Sequence, residues 1–256
     1  AMDAAPNLRI IARHGVGVDD VDVAEADRRG ILVTRSPGSN TRAVAEHTLA
    51  LILALAKDLP RLSAGVAAGG WRGAATTVRD MHGLRLGLVG CGGIGQAVAQ
   101  LAAGFGMEVT AYTPSSRDLG GIRRAPDLRT LLASSDVLSL HLPLLPSTRG
   151  LIGPAELALL PCGAILVNTS RGGLVDEVAL LEALDSGQVA AAGLDVTAPE
   201  PPAPDDPLRR HPGVLLTPHV AGVTPDSMVA MGVMAAECIA AVLQGRPVPP
   251  DRLVRP

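Results

Sequence analysis

The stretch Leu86-Gly87-Leu88-Val89-Gly90-Cys91-Gly92-Gly93-Ile94-Gly95 decides the fold of this chain. An apolar run typical of a strand leads into three glycines spaced G-x-G-x-x-G, and an amphipathic helical pattern continues to Phe105. The first glycine allows a tight turn, the second lets a phosphate approach the backbone, and the third lets the helix pack on the strand. Free N–H groups and the positive dipole end of the helix attract anions. The stretch therefore predicts a pyrophosphate site, with a purely structural turn as the alternative.

Strand-like and helix-like segments alternate on both sides of this turn. The alternation predicts a parallel sheet covered by helices, and the glycine turn makes it a doubly wound dinucleotide-binding domain of the α/β class. The strands predicted for this sheet are Leu86–Val89, Glu108–Tyr112, Val137–Leu140, Ala164–Val167, Ala190–Gly193 and Val214–Leu216.

Further predicted elements lie before, between and after these strands. They are, in order, a strand at Leu8–Ala12, a helix at about Val21–Arg29, a strand at Ile31–Thr34, a helix from Asn40 to Ala56, a proline-rich loop at Pro199–Pro212 and a helix at about Thr224–Leu243. The breaker cluster Ser36–Ser39 predicts a crossing between domains. The helix after it has a broad apolar face, which fits either core packing or a dimer interface.

Composition narrows the class of protein. The chain has 256 residues, of which 47% are hydrophobic and only three are aromatic, so it can form a sizeable aliphatic core. A net charge of −3 without a basic stripe argues against nucleic-acid binding. Three scattered cysteines indicate a reducing, cytoplasmic setting, and no cluster has metal-ligand spacing. No leader pattern is found, and the apolar run Leu49–Ala56 is too short to cross a bilayer, so no membrane partner is expected.

The end of the second strand bears on the choice of dinucleotide. An acidic residue there would bind a free ribose 2′-hydroxyl, but the chain reads Tyr112-Thr113-Pro114-Ser115-Ser116-Arg117. Two hydroxyls, those of Ser115 and Ser116, and the Arg117 guanidinium suit a 2′-phosphate through charge-assisted hydrogen bonds. NADP(H) is therefore favoured over NAD, with a solvated turn that tolerates NAD as the alternative.

Three polar residues lie just beyond predicted strands. Arg171 follows one strand, Glu200 lies in the loop after the next, and His219 follows the last. Singly, each fits an ordinary surface residue. Jointly they indicate a site, because ligands of doubly wound sheets bind beyond the carboxyl ends of the strands.

Several motifs occur together in a fixed order. They are Gly15-Val16-Gly17-Val18-Asp19, Val44-Ala45-Glu46-His47, the glycine turn, His141-Leu142-Pro143, Asn168-Thr169-Ser170-Arg171-Gly172, Gly193-Leu194-Asp195-Val196 and Thr217-Pro218-His219. In these motifs, from about Asn7 to Leu243, the chain resembles the D-isomer-specific 2-hydroxyacid dehydrogenases, a family that includes phosphoglycerate dehydrogenase, hydroxypyruvate and glyoxylate reductases and D-lactate dehydrogenase.

The resemblance implies hydride transfer between NAD(P)(H) and a small 2-keto or 2-hydroxy acid. It makes His219 the acid/base, Glu200 its partner and Arg171 the anchor of the substrate carboxylate, with Val16 and Gly17 offering backbone N–H groups to that carboxylate. It implies a homodimer formed around the 40–56 helix and the Trp71 loop. The residues expected at the coenzyme are Gly90, Gly92, Gly93, Ile94, Gly95, Thr113, Ser115, Ser116, Arg117, His141, Leu142, Pro143, Thr148, Thr169, Ser170, Arg171, Asp195, His219, Ala221 and Gly222.

Other candidates receive structural roles. His141 is expected to act through backbone placement beside the nicotinamide, and His47, inside the long helix, through packing. Cys91 lies in the phosphate turn, where a small side chain suffices, and is assigned no redox chemistry.

The resemblance also organises the domains. Residues 1–36 are expected to form part of a smaller, flavodoxin-like substrate domain whose opening strands are missing, residues 37–222 the Rossmann domain, and residues 223–256 a helix returning to the substrate domain. Two alternatives to an active dehydrogenase remain: a corepressor-like sensor of NAD(H), and an inactive truncated homologue that binds coenzyme without turnover.

Overall fold

The computed structural model describes residues 2–71, 78–115 and 118–255. The strands in this part of the chain are β1 (Ile10–Ala12), β2 (Leu32–Thr34), β3 (Arg85–Val89), β4 (Glu108–Tyr112), β5 (Arg123–Arg124), β6 (Val137–Leu140), β7 (Ala164–Asn168), β8 (Val189–Leu194), β9 (Val214–Leu216) and β10 (Leu253–Val254). The helices are α1 (Val23–Arg28), α2 (Thr41–Ala56), α3 (Leu59–Ala67), α4 (Gly93–Gly104), α5 (Leu128–Ala133), α6 (Pro154–Leu157), α7 (Glu177–Asp185) and α8 (Pro225–Leu243).

These elements form two compact units. One contains the chain up to Ala43 together with the residues from Gly222 on, and the other runs from Val44 to Ala221. The predicted limits, at residues 36 and 222, lie close to these. That the smaller unit is a substrate domain stays a prediction.

The larger unit is built on one parallel sheet of seven strands in the order β5-β4-β3-β6-β7-β8-β9. The chain moves outward from β3 to β5, returns to the other side of β3 and moves outward again from β6 to β9. This order confirms the predicted doubly wound α/β fold. It also creates a switch point between β3 and β6, the place where ligands bind in such sheets.

Aliphatic side chains fill both faces of this sheet. One cluster packs α5, α6 and α7 against the sheet through residues such as Leu131, Leu157 and Leu180. The second cluster packs α2 and α4 through residues such as Ile52 and Val98. The apolar face of α2 is therefore core, which agrees with the first of its two predicted uses.

The smaller unit has its own three-stranded sheet, in the order β1-β2-β10. β1 and β2 are parallel, and the short β10 pairs antiparallel with β2. Helix α8 has 19 residues and a mean hydropathy of 1.7, which is long and apolar enough to cross a bilayer. In this unit its Cys238 and Val242 pack with Ile10 and Leu253 as part of a core.

Helix α2 ends at Ala56, as predicted. Pro60 lies in the first turn of α3, where proline fits because the N–H it lacks has no helical partner. The break between the two helices is made by Asp58, whose φ of 51° is left-handed.

Candidate active site

The glycine turn closes on the strand at the other side of the switch point. Gly90 has a φ of 91°, and a Cβ atom there would lie 2.5 Å from the carbonyl oxygen of His141. A Cβ atom at Gly95 would lie 2.7 Å from the carbonyl oxygen of Gly90. Both positions therefore require glycine. Helix α4 starts at Gly93, and its N-cap residue, Gly92, has no side chain to cap the first N–H groups. The cradle suits a pyrophosphate, as the sequence predicted.

His141 is the polar side chain that belongs to this cradle. Its Nε2 lies 2.9 Å from the Ser139 hydroxyl, and its Nδ1 is buried without a hydrogen-bond partner among the described atoms. Burial lowers the pKa of His141 to about 4, so the imidazole is neutral near pH 7. A neutral imidazole with one unused nitrogen fits a site for a polar ligand.

The loop after β4 is held by an arginine. The Arg124 guanidinium donates to the carbonyls of Thr113 at 3.1 Å and of Ser115 at 2.9 Å, and the two hydroxyls of these residues are 3.1 Å apart. Arg124 was missed by the sequence analysis because it lies on the two-residue strand β5, whose pairing with β4 has no pattern in the sequence. Ser116 and Arg117, predicted at the coenzyme, lie outside the described residues.

The loop after β7 carries Arg171. The Asn168 amide donates to the Arg171 carbonyl at 2.8 Å, and the Ser170 hydroxyl donates to the Leu140 carbonyl at 2.6 Å, so the loop is fixed to the end of β6. A Cβ atom at Gly172 would lie 2.0 Å from the carbonyl carbon of Thr197. Only glycine permits this close approach between the loops that follow β7 and β8.

A histidine–carboxylate pair lies at the end of β9. His219 Nδ1 is 2.6 Å from Glu200 Oε2, and the other oxygen of Glu200 accepts the Thr197 N–H at 3.3 Å. Both side chains are partly exposed, at 50% and 36%. With Nδ1 bound to the carboxylate, Nε2 is the nitrogen available for proton transfer.

Asp195 organises the backbone around His219. Its carboxylate, fully buried, accepts the Thr217 hydroxyl at 2.6 Å and the N–H groups of Val220 at 2.9 Å and Ala221 at 2.8 Å. Its backbone carbonyl accepts the N–H of His219 at 2.8 Å. His219 itself has a left-handed φ of 53°, a conformation that needs such support in a residue other than glycine. The sequence predicted Asp195 at the coenzyme, and the structure adds this bracing role.

The pair borders a cavity of about 620 Å³ within the larger unit. Its lining is Asp195, Thr197, Glu200, Pro201, Pro202, Arg209, Leu216, Thr217, Pro218 and His219. A cation from the β7 loop, a histidine and its carboxylate thus lie at the carboxyl edge of one sheet.

The remaining predicted residues have varied surroundings. The Thr148 hydroxyl donates to the Pro143 carbonyl at 2.8 Å and so stabilises the turn that contains both residues. Leu142 lies beside the glycine turn, since a Cβ atom at Gly90 would be 2.8 Å from one of its methyl groups. Val16, Gly17 and Gly222 belong to the smaller unit, and their place in a site stays a prediction.

The fold and this edge define a class of protein, namely a dinucleotide-binding α/β domain with a histidine hydrogen-bonded to a carboxylate beyond the last strand. A family model described as D-isomer specific 2-hydroxyacid dehydrogenase, NAD binding domain, matches residues 49–221. The chain belongs to this family, as the resemblance predicted.

Two curated relatives and one solved structure illustrate the similarity. The D-3-phosphoglycerate dehydrogenase of Archaeoglobus fulgidus is 42% identical over 96% of this chain and 47% of its own length. The glyoxylate reductase of Aeropyrum pernix is 42% identical over 99% of this chain and 78% of its own length. A Thermus thermophilus protein of known crystal structure is 43% identical, with a TM-score of 0.91 over 99% of this chain and 81% of that one. The chain spans about half the length of the phosphoglycerate dehydrogenases it matches.

Proposed function

We propose that this chain reduces small 2-keto acids, and oxidises the corresponding D-2-hydroxy acids, with a nicotinamide coenzyme. The observation that carries the proposal is the 2.6 Å pair of His219 and Glu200. It lies at the same sheet edge as the Arg171 loop and the glycine cradle. Hydroxypyruvate, glyoxylate and 3-phosphoglycerate-type acids are the substrate candidates, since similar proteins bear those names.

Each side chain has a defined task in this reaction. When bound, the coenzyme supplies the hydride to the keto carbon. Arg171 binds the substrate carboxylate with its guanidinium and so orients the carbonyl group. His219 donates a proton from Nε2 to the keto oxygen, and Glu200 stabilises the imidazolium through Nδ1. The glycine cradle and the first turn of α4 bind the pyrophosphate.

We propose NADP(H) as the preferred coenzyme. The loop after β4 offers the hydroxyls of Thr113 and Ser115, and the Arg124 guanidinium adds positive charge beside them. Arg117 adds a second cation in sequence. The first carboxylate after this strand, Asp118, accepts the Gly120 N–H in a turn of its own. Charge-assisted hydrogen bonds to a 2′-phosphate are the contacts that this composition supports.

We also propose a cytoplasmic homodimer. In support, the segment from α3 to the Trp71 loop exposes apolar side chains, Leu59 at 54%, Val66 at 51% and Trp71 at 83%. Light scattering at micromolar concentration tests the dimer, with Trp71→Ser as the perturbing variant. A monomeric parent chain would contradict it.

The test of activity follows nicotinamide absorbance with hydroxypyruvate, glyoxylate and pyruvate as substrates, and NADPH and NADH in parallel. His219→Ala should lower kcat by about 10²- to 10⁴-fold, the usual range for a general acid, and should lower coenzyme affinity much less. His211→Gln is a matched control, because His211 also pairs with a carboxylate, Asp185 at 3.3 Å, outside the cavity lining. Equal turnover by the His219 and His211 variants would refute the role of His219.

The coenzyme proposal has its own readout. Arg117→Ala should raise the KM for NADPH and leave that for NADH unchanged. Arg124→Ala, which also releases the loop after β4, should raise the KM for NADPH more than that for NADH. A higher kcat/KM with NADH than with NADPH in the parent chain would refute it. Coenzyme binding without turnover of any 2-keto acid would refute the proposed activity instead.

A further inference from the structure

Two polar side chains lie next to each other in the mostly apolar helix α2. Thr48 is fully buried, and the His47 side chain is 24% exposed. Buried polar groups are costly in a core unless they have hydrogen-bond partners. The partners of these two residues lie 170 and 121 positions further along the chain, in the two loops that carry the proposed acid/base and substrate anchor.

His47 contacts the loop that ends at His219. Its Nε2 lies 3.1 Å from the Thr217 hydroxyl and 3.7 Å from Asp195 Oδ1. The Thr217 hydroxyl donates its single proton to Asp195 at 2.6 Å. Thr217 therefore accepts from His47, which requires the tautomer with a proton on Nε2. The result is a chain of donors from His47 through Thr217 to the carboxylate that supports the strained backbone at His219.

Thr48 contacts the loop that ends at Arg171. Its hydroxyl donates to the Val44 carbonyl at 2.8 Å and lies 2.9 Å from the Thr169 hydroxyl. Because the only proton of the Thr48 hydroxyl goes to Val44, Thr169 is the donor in the second bond. Thr169 lies two residues before Arg171, as Thr217 lies two residues before His219.

We infer that His47 and Thr48 are positioning residues, which hold the loops of the acid/base and of the substrate anchor from adjacent positions of one helix. The effects of this positioning on proton transfer and substrate binding rest on the proposed function. His47 acts on proton transfer, because its chain of hydrogen bonds ends at the N–H groups of Val220 and Ala221, the two residues that follow His219. Thr48 acts on substrate binding, because its bond ends at the Arg171 loop.

The kinetic test uses pairs of variants. His47→Leu removes the donor and His47→Gln replaces it with an amide N–H of similar reach. Thr48→Val removes the hydroxyl and Thr48→Ser keeps it. His47→Leu should lower kcat by about 10- to 100-fold with little change in the KM for the keto acid, as expected for a misplaced catalytic group. Thr48→Val should mainly raise that KM, about 10-fold. His47→Gln and Thr48→Ser should restore most of each loss.

A second measurement needs no turnover. In His47→Leu, backbone hydrogen exchange should become at least about tenfold faster for the amides of residues 219–221 and stay unchanged in the 168–172 loop. In Thr48→Val, the exchange of the 168–172 loop should become faster to the same extent and that of residues 219–221 should stay unchanged. Ser135→Ala is the matched control, because Ser135 is equally buried but its hydroxyl donates only to the Leu131 carbonyl. It should change neither loop.

The outcomes separate the two proposals. Local exchange effects without turnover in the parent chain would support the positioning role and refute the proposed activity. Unchanged exchange, or equal losses of kcat in all four variants, would refute the positioning role whether or not the parent chain is active.

Discussion

Acid should destabilise this fold through one buried histidine, His141. Burial in the larger unit lowers its pKa from about 6.5 to about 4, while the unfolded chain keeps the ordinary value. Between these two values the unfolded state binds a proton that the folded state does not. The contribution of the neutral His141 to the free energy of unfolding is therefore complete above about pH 6.5 and is lost as the pH falls toward about 4.

The magnitude follows from the difference between the two pKa values. At about 1.4 kcal/mol for each pKa unit, the full loss is about 3.5 kcal/mol, and about 2 kcal/mol of it falls between about pH 7 and pH 5. His141→Gln replaces the imidazole with an amide that can still bond the Ser139 hydroxyl and does not titrate. Its free energy of unfolding should fall by about 2 kcal/mol less than that of the parent chain over this interval.

Urea unfolding followed by far-UV circular dichroism measures both proteins at the two pH values. Ser139→Ala tests the cause, since burial rather than the hydroxyl lowers the pKa. That variant should be less stable at each pH but keep the pH dependence of the parent chain. If the parent chain and His141→Gln lost the same free energy, to within about 0.5 kcal/mol, the assignment of the acid sensitivity to His141 would be wrong.

Three further perturbations have expected results. Gly172→Ala places a Cβ atom 2.0 Å from the backbone of Thr197, so it should displace the loop and lower kcat/KM by about 100-fold, measured by the keto-acid assay. Burial raises the pKa of Glu177, so its contribution to stability is lost as the pH rises above about 4.5; Glu177→Gln should remove that loss in thermal melts. Hydrogen bonds from Arg85 lower the pKa of Asp136, so Asp136→Asn should cost about 1 kcal/mol near pH 7 and less as the pH falls below about 4, measured by urea unfolding.

The sequence predicted those parts of the fold that depend on local patterns. β4, β6 and β9 have the predicted bounds because each is an apolar run between polar or glycine residues. The last helix begins after Thr224, whose hydroxyl accepts the Ser227 N–H, a cap that the sequence displays. β10 was missed, because two residues near the end of the chain pair with β2 only through the tertiary fold.

The sequence predicted which residues form the candidate site but not the hydrogen bonds that join them. Position after a strand singled out Arg171 and His219, because all parallel strands end at one sheet edge. His47 was predicted to be structural, because a histidine inside an apolar helix has no local signal of a distant partner. Its bond to Thr217 spans 170 positions in the sequence. The bond forms only because the fold packs α2 against the sheet near the end of β9, where the loop with Thr217 begins.

The left-handed backbone at His219 explains why the site needs a carboxylate whose hydrogen bonds go to the loop around His219. A non-glycine residue with a φ of 53° costs about 1–3 kcal/mol, and glycine would relieve the cost but provide no imidazole. Asp195 offsets it, since its two oxygens accept one hydroxyl and two N–H groups from the residues flanking His219. Asparagine at 195 would lack the charge and place an N–H where one of these acceptors is required. Sequence reasoning assigned Asp195 to the coenzyme alone, because strain in a loop leaves no trace in residue spacing.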